Sequence, residues 1–324
     1  MSRVTSLTSM PEKELNRWIR RIALLFVVLL VAFVAFYAVD RFRMPQPTII
    51  DKQLATLEDA VRANPADTVS RGKLADLYYA DKRFQDAITQ YTALIDVKSD
   101  VELASLGRAN CYMQLKQYDQ AATDFQVVIK IAATGEMANV DPNLESAYYN
   151  LGLVALAKND PKVAIDNLNL ALKITRTDAD ALNAIGQAYL ADNQLDKAIE
   201  SLRGAIALVP AGWADPYQTM AKAYTAQAKP ELATWANAMA MLESGDWSGA
   251  ESQLNTLTSG PAKVEAMIGL GILYEQKGDL GTAGSWYSKA LAADPSNIVA
   301  QMGLKRAGGT VPSNALPSAT PGAS

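Results

Sequence analysis

The stretch from Asp178 to Pro210, DADALNAIGQAYLADNQLDKAIESLRGAIALVP, decides the fold. Its apolar residues fall at helical spacing twice: Leu182, Ile185 and Tyr189, then Ile199, Leu202 and Ile206. Between the two runs, Asp192, Asn193 and Gln194 form a polar turn in which Asn193 tolerates positive φ. Pro210 closes the second helix. Gly186, Ala198 and Ala205 mark where the helices approach closely, so the spacing predicts a hairpin packed small against large.

That arrangement resembles the tetratricopeptide repeat (TPR), a helix–turn–helix unit of about 34 residues. The family pattern wants large residues near positions 4, 7, 11 and 24, small ones near 8, 20 and 27, and proline near 32. Leu182, Ile185, Gly186, Tyr189, Ala198, Leu202, Ala205 and Pro210 occupy those places in order. The resemblance extends over about 50 to 306. Aligned on the small residue of the second helix, successive units carry Ala87, Ala121, Ala164, Ala198, Ala233, Ala250 and Ala283, spaced by 34, 43, 34, 35, 17 and 33 residues. The expected fold is all-α, a superhelix of hairpins. A cap helix at 49–63 precedes repeats at about 68–101, 102–131, 145–178, 179–212 and 214–242, an extra helix at 247–258, a repeat at 264–295 and a cap at 296–306.

Two spacings depart from the period. The spacing of 43 places extra residues at 132–141, AATGEMANVD, where Gly135, Asn139 and Pro142 suggest a surface loop, either an inert insertion or a contact loop. The spacing of 17 is half a period and implies one odd helix, with a second tight turn at Ser244 to Asp246. An odd helix reverses the direction of everything after it, so the superhelix should be interrupted between about 229 and 260.

Upstream of the repeats, Ile22 to Val39 is an uninterrupted apolar run of 18 residues, long enough to approach the roughly 30 Å hydrocarbon core of a bilayer. It reads as one membrane-spanning helix with Trp18 and Tyr37 at the interfaces. The competing reading, a cleaved signal peptide, requires small residues where Phe33 and Phe36 stand. Arg3, Lys13, Arg17, Arg20 and Arg21 precede the run, while Arg41, Arg43 and Lys52 follow it. That bias puts the N-terminal residues 1–21 in the cytoplasm and the repeats outside it, joined by a linker at 40–48. The segment 307–324, rich in small residues and proline, should be disordered.

Composition narrows the chemistry. The chain has no histidine and a single cysteine, Cys111, which excludes an intrachain disulfide and removes the commonest general base and metal ligand. After residue 40 there are 31 acidic against 25 basic residues, a balance that argues against nucleic acid. Acidic residues read as scattered singly on solvent faces. The glycines at 269–271 and 308–309 lack the strand and the Lys and Ser or Thr of a phosphate loop. No catalytic residue, metal or cofactor is implied.

What remains is a surface. In TPR proteins the first helices line a concave groove, and the resemblance implies inward-facing Asp76 and Tyr79; Leu106, Asn110 and Met113; Tyr149, Leu153 and Leu156; Asn183, Gln187 and Leu190; and Gln218 and Lys222. Amides can donate to and accept from a peptide backbone, while the apolar members offer contact area. The bland alternative has Tyr149 and Leu153 covered by the 132–141 loop or by a neighbouring helix. The family's carboxylate clamp is not supported, because Lys73 and Lys222 lie far apart in the array. The sequence resembles bacterial single-span TPR proteins that assist the translocon, cytochrome maturation or pilus assembly. It implies a protein or peptide partner in the groove and a bilayer around 22–39. A second reading is a structural protein whose groove is filled by its own copy or tail.

Overall fold

The computed structural model describes residues 11–42, 48–209 and 211–311, with side chains described outside 38–42. Pro210, the proline-bearing spacer before Thr48, the first ten residues and the tail from 312 lie outside the described residues. Sixteen α-helices and no strands make up the described chain. It divides into two compact units, Met1–Thr56 and Leu57–Ser324.

In the first unit, α1 (Glu12–Phe42) begins ten residues before the apolar run. Glu12 and Glu14 in its first turn complement the helix dipole, and no breaker stands between them and Ile22. Its segment Glu12–Tyr37 is long and apolar enough to cross a membrane, and none of its most apolar stretch is buried. Helix α2 (Ile49–Ala63) opens with a reciprocal cap: Thr48 N–H donates to Asp51 Oδ2 at 2.7 Å and Asp51 N–H to Thr48 Oγ1 at 3.1 Å.

The second unit is a run of hairpins. They are α3 (Thr68–Ala80) with α4 (Phe84–Asp96), α5 (Val101–Gln114) with α6 (Tyr118–Ala132), and α7 (Pro142–Ala157) with α8 (Pro161–Ile174). There follow α9 (Ala179–Ala191) with α10 (Leu195–Leu208), then α11 (Asp215–Ala226), α12 (Pro230–Glu243), α13 (Trp247–Thr256), α14 (Lys263–Gln276), α15 (Leu280–Ala293) and α16 (Ile298–Arg306). Within the α9–α10 hairpin, Ala198, Leu202 and Ala205 are wholly buried. A Cβ on Gly186 would lie 2.7 Å from Leu202 Cγ, so only glycine lets the large side chain seat there. The small-against-large pattern of the sequence is therefore a packing rule.

Each hairpin turn is the same device. Lys82, Lys116, Asn159, Asn193, Ala228, Gly245 and Gly278 all take positive φ. The residue after each returns a hydrogen bond across the turn, as Gln194 N–H does to Tyr189 O at 2.8 Å and Asp246 N–H to Met241 O at 2.9 Å. This is the Schellman closure of a helix end. The turn residues repeat the spacings of the alanine series, the half-period included. Both ends of α12 therefore carry it: Ala228 turns α11 into α12, and Gly245 turns α12 into α13. Helix α12 is the second helix of one hairpin and the first helix of the next. Neighbour contacts agree, since alternate helices touch along α3, α5, α7, α9 and α11, then along α12, α14 and α16. The side of the array that carries the first helices changes hands at α12.

The insertion after α6 forms a single 3-10 turn, Ala138–Val140, which lies against α8.

Candidate peptide groove

The first helices α3, α5, α7, α9 and α11 stand side by side and present the residues carried over from the repeat pattern. At the α3 end, Asp76 is exposed and accepts from Tyr91 Oη at 2.7 Å, while half-buried Tyr79 meets the Phe84 ring edge-on at 5.6 Å. Both are engaged within their own hairpin. On α5, Leu106 and Met113 are half-buried against the core around Phe125 and Val128, with Asn110 half-buried between them.

On α7, Tyr149, Leu153 and Leu156 are half-buried and pack against the core of Ala155, Ala184, Ile185 and Ala188, shared with α9. Neighbouring helices thus cover part of Tyr149 and Leu153. Burial, and after it the charges of Asp180, Asp178 and Glu145, pushes the Tyr149 phenol up to about 12. Glu145 is itself pushed up to about 7, first by burial and then by hydrogen bonding to Asp178 and by its charge. The three carboxylates are not scattered, contrary to the expectation from sequence. Asp178 caps α9 by accepting from Ala181 N–H at 3.1 Å, and the hairpin connection carries that cap back beside the first turn of α7. A separation of 33 residues hid the cluster.

The structure brings four of the remaining candidates together. Asn183 Nδ2 and Gln187 Nε2 both donate to Asp215 Oδ2, at 2.7 and 2.9 Å, tying α9 to α11. Gln187, Leu190, Asp215 and Lys222 line a depression of ≈ 300 Å³ between those helices. Lys222 also borders a second one of ≈ 540 Å³, where Gln218 from α11 faces Asn237 from α12. Asp215 was passed over in the sequence, although it holds position 2 of its repeat, an inward-facing position.

The family profile described as tetratricopeptide repeat matches residues 72–136, 149–216 and 236–298, together more than half of the chain. This chain belongs to the TPR family. The third match begins inside α12 and runs through α15, in accord with α12 as the first helix of a TPR hairpin. The TPR array is similar in fold to the C-terminal part of a TPR repeat-containing protein from Cytophaga hutchinsonii, at 18% identity over 79% of this chain and 94% of that one, with a TM-score of 0.51. It is also similar to BtubC (BKLC) from P. vanneervenii, at 20% identity over 62% and 93%, with a TM-score of 0.51. The MamA protein is 24% identical over 56% of this chain and 93% of its own, with a TM-score of 0.48. No curated protein matches the chain. The TPR fold is one suited to protein–protein interaction.

Proposed function

We propose that this chain is a non-enzymatic TPR scaffold, anchored in the membrane by α1, that holds a segment of another protein in the groove of α3, α5, α7, α9 and α11. The observation that carries this reading is the α9–α11 site. There, amide and carboxylate groups are fixed by mutual hydrogen bonds beside an open depression, with Leu190 as apolar wall. A pre-formed groove of that kind binds an extended or helical segment at modest affinity, and an anchor confines the encounter to the membrane surface. The distribution of bases around α1 supports a cytoplasmic N-terminus and a repeat body outside the cytoplasm, where it serves assembly or folding of envelope or secreted complexes.

Pull-down from membranes, comparing the wild-type chain with Tyr149→Ala plus Asn183→Ala, tests the groove. Partners should be lost from the double variant, and an unchanged partner set overturns the assignment. For the topology, a cysteine placed at exposed Ser248 should react with a membrane-impermeant maleimide in intact cells. Reaction only after lysis would put the body in the cytoplasm.

A further inference from the structure

The first ten residues of α1, Glu12 to Arg21, precede the apolar run and carry a pattern of their own. Lys13, Arg17, Arg20 and Arg21 follow one another at steps of four, three and one, which at 3.6 residues per turn places them within an arc of about 100°. Leu15, Trp18, Ile19 and Ile22 follow at steps of three, one and three, and their arc of about 100° lies on the opposite side. The helix therefore enters its apolar run with one basic face and one apolar face. Both are open: the four bases are exposed and make no ion pair among the described residues, while Trp18 is 51% exposed and Ile19 53%. Glu12 and Glu14 are confined to the first turn, which leaves the three arginines next to the run with the excess charge.

Arg17, Arg20 and Arg21 stand five, two and one residues before Ile22. At 1.5 Å per residue that is about 2–8 Å outside the hydrocarbon, the depth of the headgroup layer. Leu15, Trp18 and Ile19 lengthen the apolar surface by about two turns on one face alone. A helix with so lopsided an apolar surface tilts until the longer face is immersed, and the tilt turns the basic face toward the phosphates. The Arg21 guanidinium carbon lies 5.7 Å from the centre of the Trp18 ring, so an indole and a cation are already paired at the seam between the faces. Arg17 is a surface neighbour of Arg20 and Arg21, three and four residues on, so the three planar forks can meet on one headgroup.

We infer that this end of α1 is a binding site for anionic phospholipid: phosphate oxygens accept from Arg17, Arg20 and Arg21 while an acyl chain lies along Leu15, Trp18 and Ile19. This rests on α1 as the membrane anchor and adds the lipid that the anchor selects. Phosphatidylcholine offers the same phosphate, but its choline cation cancels the charge that the arginines attract, and phosphatidylglycerol has no such cation.

The test reads Trp18 in the full chain, reconstituted in phosphatidylcholine nanodiscs, as the tryptophan fluorescence that Trp18→Phe removes. The discs carry an equal small fraction of either phosphatidylglycerol or phosphatidylcholine brominated near the headgroup end of its acyl chains. Brominated phosphatidylglycerol should quench Trp18 about threefold more than brominated phosphatidylcholine, with the ratio falling toward one between about 50 and about 500 mM salt. Arg17→Gln with Arg20→Gln and Arg21→Gln should bring the ratio to one at low salt and leave quenching by brominated phosphatidylcholine unchanged. Arg17→Gln alone, expected to lower the ratio to about twofold, guards against poor insertion of the triple variant. A wild-type ratio of one, or a ratio that survives the substitutions, overturns the lipid inference while the anchor stands. Failure of both brominated lipids to quench wild-type Trp18 removes the anchor itself, and this inference with it.

Discussion

Arg108 grips Asp124 with two parallel bonds, Nε to Oδ2 and Nη2 to Oδ1, each at 2.7 Å, across the hairpin of α5 and α6. Asp124 is 3% exposed, and the remaining arm of the guanidinium donates to Thr92 Oγ1 on α4 at 3.0 Å. The pair therefore locks one hairpin to the one before it. Asp124→Ala should cost about 2–3 kcal/mol, because it leaves a half-buried guanidinium without its counter-charge. Arg108→Met with Asp124→Leu should recover most of that loss in urea unfolding. A double variant no more stable than Asp124→Ala would mean that the pair is not what holds the hairpins.

At the turns, the non-glycine residues held at positive φ carry strain that glycine lacks. Ala228→Gly should stabilise the array by about 1 kcal/mol, and Gly245→Ala should destabilise it by a similar amount. Thermal unfolding followed by circular dichroism reads both, with opposite signs.

Glu145 gives the array a pH slope. Its carboxyl sits at about 7 in the folded chain against an ordinary 4.5, so between those values the native state holds a proton that the unfolded chain has released. Stability must then fall as pH rises through that window and stay low above it. With solvent screening the effect is about 1 kcal/mol. Urea midpoints at about pH 5 and about pH 8 should differ in wild type and draw together in Glu145→Gln.

Near the C-terminal end of the described chain, Tyr287 is clasped between Gly271 on α14 and Gly303 on α16, where a Cβ on either would overlap its ring. Its hydroxyl donates to Glu275 Oε2 at 2.7 Å, and Arg306 binds the same carboxylate. Gly303→Ala should cost about 1–3 kcal/mol and expose amides of α16 to hydrogen exchange before those of α9.

Cys111 has no exposed surface, and burial pushes its thiol up to about 12. A neutral thiol reagent should label the folded protein negligibly and label it stoichiometrically in denaturant. Fast labelling of the native state would show that α5 opens readily.

The repeat pattern was legible because each hairpin is closed by local chemistry. Gly186 against Leu202 and Asn193 at positive φ lie within one period of the chain, and the alanine series repeats that period, so spacing alone reveals them. The carboxylate cluster was not legible. Glu145 and Asp178 belong to different hairpins and meet only when these stack, and singly each looks like a solvated charge. Arg108 and Asp124 escaped for another reason: nothing in a sequence distinguishes a buried acid from an exposed one before its helix has a partner. Asp215 was within reach of the sequence, because it stands at an inward-facing position of the same helix as Gln218 and Lys222.

Helix α12, shared by two hairpins, makes the groove a ruler. First helices from α3 to α11 form one row, and with neighbours about 10 Å apart those five span about 40 Å. An extended chain advances about 3.3 Å per residue, so the groove proposed above is as long as a segment of about a dozen residues. Beyond α11 the row of alternate helices passes to α12, α14 and α16, so the five-helix face ends at α11.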